Sequence, residues 1–161
     1  MAPAASDPAA ADREIVISRT IAGPRRLVFE AFTAVEHLEQ WWGPNGFSVT
    51  TRTFAFEPGG VWEFDMHGPD GVAYPNWIKW REIVPPERID LLHGDHPDDP
   101  NAFLSTITLA ERGEDVTEVT MRALFNTKAQ RDDVIERYRA DERGRETLGR
   151  LAAYVESRRR R

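Results

Sequence analysis

The side chains that could do chemistry in this sequence are few. His93 lies in phase with Ile89 and Leu91 along an alternating segment, so it is expected to point inward as a hydrogen-bonded histidine or a polar handle for a ligand. His93-Gly94-Asp95-His96 has the residue types of a metal cluster. His96 falls in a loop beside prolines, however, and metal ligands need fixed geometry, so no metal site is expected. Glu82 stands between apolar residues. If buried it would have a raised pKa and could act as a base, whereas an exposed or paired carboxylate is the ordinary fate of Glu. His67 follows the polar phase of its strand and reads as surface. No nucleophile elbow, phosphate loop or dinucleotide fingerprint is present, and no catalytic residue is assigned.

The remaining candidates are apolar. Trp62, Phe64, Met66, Trp80, Leu91, Phe103, Ile107, Val119, Met121, Phe125 and Tyr138 can all face one interior. Alternation does not separate a packed core from a lined pocket, and aromatic and Met side chains suit both. Trp41-Trp42 ends a short helical segment. One ring is expected to pack the helices onto a sheet and the other to cap the surface, with a cavity wall or entrance as the alternative.

Composition narrows the chemistry further. The chain has 161 residues, enough for one domain with a substantial core, and no cysteine, which excludes disulfides and thiolate sites and fits a reducing cytoplasmic setting. A formal net charge of -6 argues against general nucleic-acid binding, which needs clustered Lys and Arg. No apolar run is long enough to span a bilayer, so no stable membrane insertion is expected. Residues 1–12, rich in Ala and Pro, are expected to be a disordered leader, residues 13–157 a single domain, and residues 158–161 a basic tail.

These side chains need elements to hold them. Arg13–Ile21 alternates and reads as a strand. Pro24–Phe32 has helical spacing, and Thr33–Glu36 is a capping-box pattern that should open a second short helix ending near Trp42. Strands are expected at Phe47–Glu57, Val61–His67, Val72–Val84, Arg88–His93, Phe103–Ala110 and Val116–Phe125, with Val72–Val84 bulged or interrupted at Pro75-Asn76. Gly94–Ala102 is the longest loop. Thr127–Gln130 is a second capping box, leading a long helical segment to about Glu156. Its apolar stripe is Val134, Tyr138, Leu148, Leu151, Ala152 and Val155, and Gly144 is a candidate break. The expected architecture is α+β: a curved antiparallel sheet wrapped around a long C-terminal helix, in the order β-α-α-β-β-β-β-β-β-α.

The ordered set Arg19-Thr20-Ile21 with Pro24, Val28-Phe29, Gln40-Trp41-Trp42-Gly43-Pro44, Pro58-Gly59-Gly60-Val61-Trp62, Gly68-Pro69-Asp70-Gly71 with Tyr74-Pro75-Asn76, and Val84-Pro85-Pro86-Glu87-Arg88 resembles the START-like (SRPBCC) superfamily. Within it, the chain is similar to the AHSA1-like group, named for the C-terminal domain of the activator of Hsp90 ATPase. The resemblance runs from Arg13 to Val155. It implies a helix-grip fold with a hydrophobic cavity between sheet and terminal helix, and ligand binding, including lipid binding, as the expected function. The expected partner is a small hydrophobic or amphipathic ligand, without a cofactor and with a homodimer as one possible assembly. A polyketide cyclase-like or hydrolase-like enzyme in the same cavity and an Hsp90-type co-chaperone are the alternatives. Two positions depart from the pattern. Arg145 follows Gly144 where relatives commonly carry Trp, and Ile78 stands where Gly is common. Ile78 should narrow the cavity. Arg145 extends the helical stripe and should lie near the cavity mouth, either paired with Asp141 or Glu142 or selecting a ligand with an acidic head.

Overall fold

The computed structural model describes residues 10–159. Most of the expected leader, residues 1–9, and the last two residues of the expected tail lie outside that range. Inside it, Ala11–Arg13 form one 3-10 turn, and Ala10 is buried. Strand β1 (Glu14–Ala22) is followed by helices α1 (Arg25–Glu30) and α2 (Val35–Trp41). Six strands come next: β2 (Ser48–Phe54), β3 (Val61–His67), β4 (Ala73–Val84), β5 (Arg88–Gly94), β6 (Phe103–Gly113) and β7 (Val116–Leu124). Helices α3 (Lys128–Tyr138) and α4 (Ala140–Arg159) end the described chain. The strands form one seven-stranded antiparallel sheet in the order β1-β7-β6-β5-β4-β3-β2.

Successive hairpins build this order from β2 to β7, and β1 closes onto β7 with Ile17 opposite Met121. Alternation then puts Trp62 and Phe64 of β3, Ile78 and Trp80 of β4, Ile89 and Leu91 of β5, Ile107 and Leu109 of β6 and Val119 of β7 on one face. All are buried. Helix α4 covers that face and runs parallel to β1. Its Gly144 lies over Ile17, and its Val155 lies over Gly23. Leu148, Leu151, Ala152 and Val155 form its buried stripe. The interior therefore has a lower end, where α1 and the end of α4 meet, and an upper end, where β5 finishes and α4 begins.

Four local expectations need correction. The expected capping box at Thr33 is absent: its hydroxyl donates instead to the Glu30 carbonyl at the end of α1, 2.9 Å away. Ala34 becomes the N-cap of α2, with no side-chain bond. At Thr127 the N-cap half of the box forms, with the Gln130 amide donating to the Thr127 hydroxyl oxygen at 3.0 Å, while the Gln130 side chain accepts from the Asn126 amide, one residue before the cap, at 3.0 Å.

The irregularity of β4 is not at Pro75, which pairs with Asp65 inside the strand. The register against β5 shifts between Trp80 and Glu82. Strand β5 ends opposite Trp77, so β4 is a local edge at Pro75, where a missing N–H removes no ladder bond.

The terminal helical segment breaks at Arg139 rather than at Gly144. Arg139 adopts φ 51°, ψ 47°, and its N–H donates back to Ile135 and Val134. That left-handed residue ends α3 as a helix stop. Gly144 stays within α4 because it is a contact point: a Cβ there would stand 2.6 Å from Ile17 Cδ1.

The fourth correction concerns the tryptophan pair. Both rings are buried, and neither caps the surface. Trp41 packs edge-on against Phe32 and donates its indole N–H to the Ala31 carbonyl at 3.0 Å. Trp42 turns into the interior.

Candidate functional site

The centre of the interior face is sealed, and burial relaxes towards its margins, including its upper end. Trp62, Phe64 and Trp80 are 0% exposed, Leu91 1%, and Ile107 and Val119 0%. These candidates are core. The Trp62 and Phe64 rings stack at 3.8 Å, and Trp42 meets both edge-on at 5.3 and 6.4 Å. Ile78, opposite Trp62, is fully buried too and fills space as expected.

Above this aromatic layer the burial relaxes. Met66, His93 and Phe103 belong to the same inward-facing set but are only partly buried, as is Met121 lower down, opposite Ile107 and Ile17. Phe125 is buried and lies 4.8 Å from Phe103, which in turn lies 5.1 Å from His93. The structure thus brings together nearly the whole expected set, as a closed base with a half-open aromatic top.

Two expected members do not belong to it. Tyr138 is 53% exposed, because the Arg139 stop ends α3 and breaks the helical phase that linked Tyr138 to Leu148. Arg145 is exposed, and its guanidinium lies 3.8 Å from Asp141 on the same helix. The neighbour pair weighed above is the arrangement found, and nothing directs Arg145 at the interior.

His93 is the polar centre of the upper end. Its Nε2 lies 2.8 Å from Asn76 Oδ1, while Asn76 Nδ2 donates to the Tyr74 carbonyl at 3.0 Å. Trp42, Phe64 and Phe103 surround the ring. Burial pushes its pKa down to about 4, outweighing the opposing influence of Asp99 on the adjoining loop. At neutral pH the imidazole is uncharged.

Glu82 has no part in this site. It is exposed and bonded to Arg88 at 2.7 Å, and Arg88 also binds Asp90. An acid–base role for Glu82 in the interior is overturned. His67 is a surface residue bonded to Thr50. Among the described residues no cluster of His, Cys, Asp or Glu could hold a metal ion. No described helix is long and apolar enough to cross a membrane. Two open clefts, of about 370 and 230 Å³, lie on the outer side of the sheet, around Arg81, Asp90 and Leu104 and around Trp77, Asp95 and His96. The first shares Leu91 and the second Asn76 with the inward face, but neither is lined by Met66, His93 or Phe103.

Two functional neighbours, Asn76 and Arg150, were not singled out from the sequence, and Trp42 was read as one of an unresolved pair with Trp41. Asn76 follows the inward phase of Ile78 and Trp80, and that phase was the signal that could have found it. Arg150 fixes the Trp42 segment to α4 by donating to the carbonyls of Trp42, Gly43 and Pro44 at 3.2, 2.9 and 3.1 Å. Burial lowers its pKa, but the three acceptors satisfy its charge-bearing group. No periodicity announces that contact.

Comparison with known proteins identifies the relatives of this arrangement. Residues 22–156 match the AHSA1 family model, described as activator of Hsp90 ATPase homolog 1-like protein. A solution structure of a protein from Arthrobacter aurescens superposes with a TM-score of 0.84 at 23% identity, covering 97% of this chain and 92% of that one. A crystal structure of a protein from Nitrosomonas europaea gives 0.79 at 24% identity, over 92% and 97%. An AHSA1 protein from Silicibacter pomeroyi gives 0.73 at 19% identity, over 90% and 99%. At these identities the likeness is one of fold. None of the curated proteins matches the chain.

Proposed function

This chain belongs to the activator of Hsp90 ATPase homolog 1-like family, and on that premise we propose that it binds a small, predominantly apolar molecule at the upper end of the interior between sheet and α4. Family and fold together correspond to a ligand-binding or co-chaperone-type domain. The ligand-binding form is favoured by one observation. Met66, His93 and Phe103 remain partly exposed although they share the inward face on which Trp62, Phe64, Ile78 and Leu91 are sealed. An inward aromatic surface with one polar group is the usual make-up of a small-molecule site.

In this reading Trp62, Phe64 and Trp42 form the floor, and their packing fixes its shape. Phe103 and Met66 supply apolar contact, with the Met66 side chain able to adapt to the ligand. His93 supplies the hydrogen bond. Neither Arg145 nor Glu82 contributes.

The test is binding of a panel of neutral aromatic and aliphatic probes to the full chain, followed by thermal shift and by quenching of tryptophan fluorescence, since Trp42 and Trp62 lie at the floor. Saturable stabilisation that is lost in Phe103→Ala is the expected result. A panel in which no probe gives a saturable response would overturn the reading.

A further inference from the structure

We infer that the ligand of this site presents a hydrogen-bond donor, a hydroxyl or an N–H, to His93, and that the site disfavours carboxylates. The inference rests on the ligand-binding reading above and adds the polarity of the head group.

The argument runs through the Asn76 amide. Its Nδ2 donates to the Tyr74 carbonyl, which can only accept, so the amide cannot be turned the other way without setting two oxygens against each other. Asn76 Oδ1 therefore faces His93 Nε2 and needs a donor there. His93 is held as the tautomer protonated on Nε2. Nδ1 is left as a lone-pair acceptor, and among the described residues no side chain or backbone donor is bonded to it. An acceptor on a partly exposed, aromatic-lined surface is matched by a donor and opposed by an anion.

The surrounding charges act in the same direction. Asp99, on the 95–102 loop, is the one charged group with a marked influence on His93, and it is negative. Its oxygens accept from the Asp95 and Asn101 amides, so it is fixed in place. Arginines on the neighbouring elements are engaged elsewhere. Arg150 holds three carbonyls, Arg13 donates to the Phe125 carbonyl, and Arg145 lies against Asp141. Arg143 lies over the Phe47 ring at 5.6 Å, and among the described residues no guanidinium is bonded to His93 or Asn76.

Three probes with one skeleton separate the possibilities: naphthalene, 1-naphthol and 1-naphthoate, titrated at neutral pH into the full chain with tryptophan fluorescence as the readout. Naphthol is expected to bind roughly 3- to 10-fold more tightly than naphthalene, the value of one net hydrogen bond. Naphthoate is expected to bind more weakly than naphthalene. In His93→Phe the naphthol advantage should vanish while naphthalene binding persists. Naphthoate binding as tightly as naphthol to the unaltered chain overturns the inference but leaves the ligand-binding reading standing. Binding of none of the three removes both.

A second measurement needs neither ligand nor variant. The long-range proton–nitrogen correlation spectrum of the His93 ring should show a proton on Nε2 and a bare Nδ1 at neutral pH. A proton on Nδ1, or an imidazolium, overturns the inference whatever binds.

Discussion

Replacing Trp42 by Ala should convert the filled floor of the site into a cavity that a small aromatic can re-enter. The indole is 6% exposed and touches Trp41, Trp62, Phe64 and His93. A buried Trp removes about 150–250 Å² from water, which at about 25 cal/mol/Å² corresponds to roughly 4–6 kcal/mol. Measured losses for large aromatic-to-Ala changes run at about 3–5 kcal/mol, so that range is expected here. The backbone contribution should survive, because Arg150 binds the Trp42 carbonyl rather than its ring. Urea unfolding followed by circular dichroism, with and without indole, gives both numbers. A ligand at about 100 times its Kd restores about 2.7 kcal/mol, so saturating indole should recover more than half of the loss. A loss below about 1 kcal/mol would refute the packing argument. A full loss with no rescue by indole or naphthalene would show that the neighbouring rings collapse into the space, and the floor would not be a rigid template.

Gly144→Ala should destabilise even though Ala is the better helix former by about 1 kcal/mol. Its Cβ would meet Ile17 Cδ1 at 2.6 Å, and overpacking of this kind costs about 1–3 kcal/mol. Ile17→Val removes that Cδ1, so a double-mutant cycle by urea unfolding should show the pair to be less harmful than the sum; strict additivity would place the cause elsewhere. His93 predicts a pH effect. Its folded pKa of about 4 lies below its ordinary 6.5, so the unfolded chain binds the extra proton between those values and stability falls as pH drops through that window. At about 1.4 kcal/mol per pH unit the contribution is on the order of 3 kcal/mol. His93→Phe should flatten the difference between pH 7 and pH 4 by an amount of that order, and parallel curves for the two proteins would refute it. Arg145→Ala should change stability by less than about 0.5 kcal/mol and leave naphthol binding unaltered, because the side chain is exposed and its only ion pair is a helical neighbour; a larger effect in either assay would give it a role at the site.

Periodicity carried most of the fold. Strand β3 alternates from Trp62 to Asp65, and its inward Trp62 and Phe64 and outward Glu63 and Asp65 follow from one phase. The hairpins from β2 to β7 were legible because each turn is marked by Gly, Pro or Asp between alternating runs. His93 was readable as inward from its phase with Ile89 and Leu91, and the Thr127 cap from its spacing to Gln130.

What the sequence could not decide depends on contacts between distant segments. Thr33 and Thr127 carry the same local pattern, yet only Thr127 caps a helix, because the Glu30 carbonyl at the end of α1 takes the Thr33 hydroxyl first. Gly144 has the composition of a helix break, but Ile17 of β1 is what requires the missing Cβ. The break falls at Arg139, a residue with no local signature for a left-handed conformation. Tyr138 and Arg145 were carried inward by extending one helical phase across that break, and only its position shows that the phase does not continue. Trp42 lies beside Trp41 in sequence. Which ring enters the interior was settled by Arg150, from the far end of the chain, holding the carbonyls of Trp42, Gly43 and Pro44. Sequence alone determined which strand residues face inward, since that follows from a period of two. Tertiary structure decided which of them are sealed and which remain open to a ligand, because that depends on where α4 stops covering the sheet.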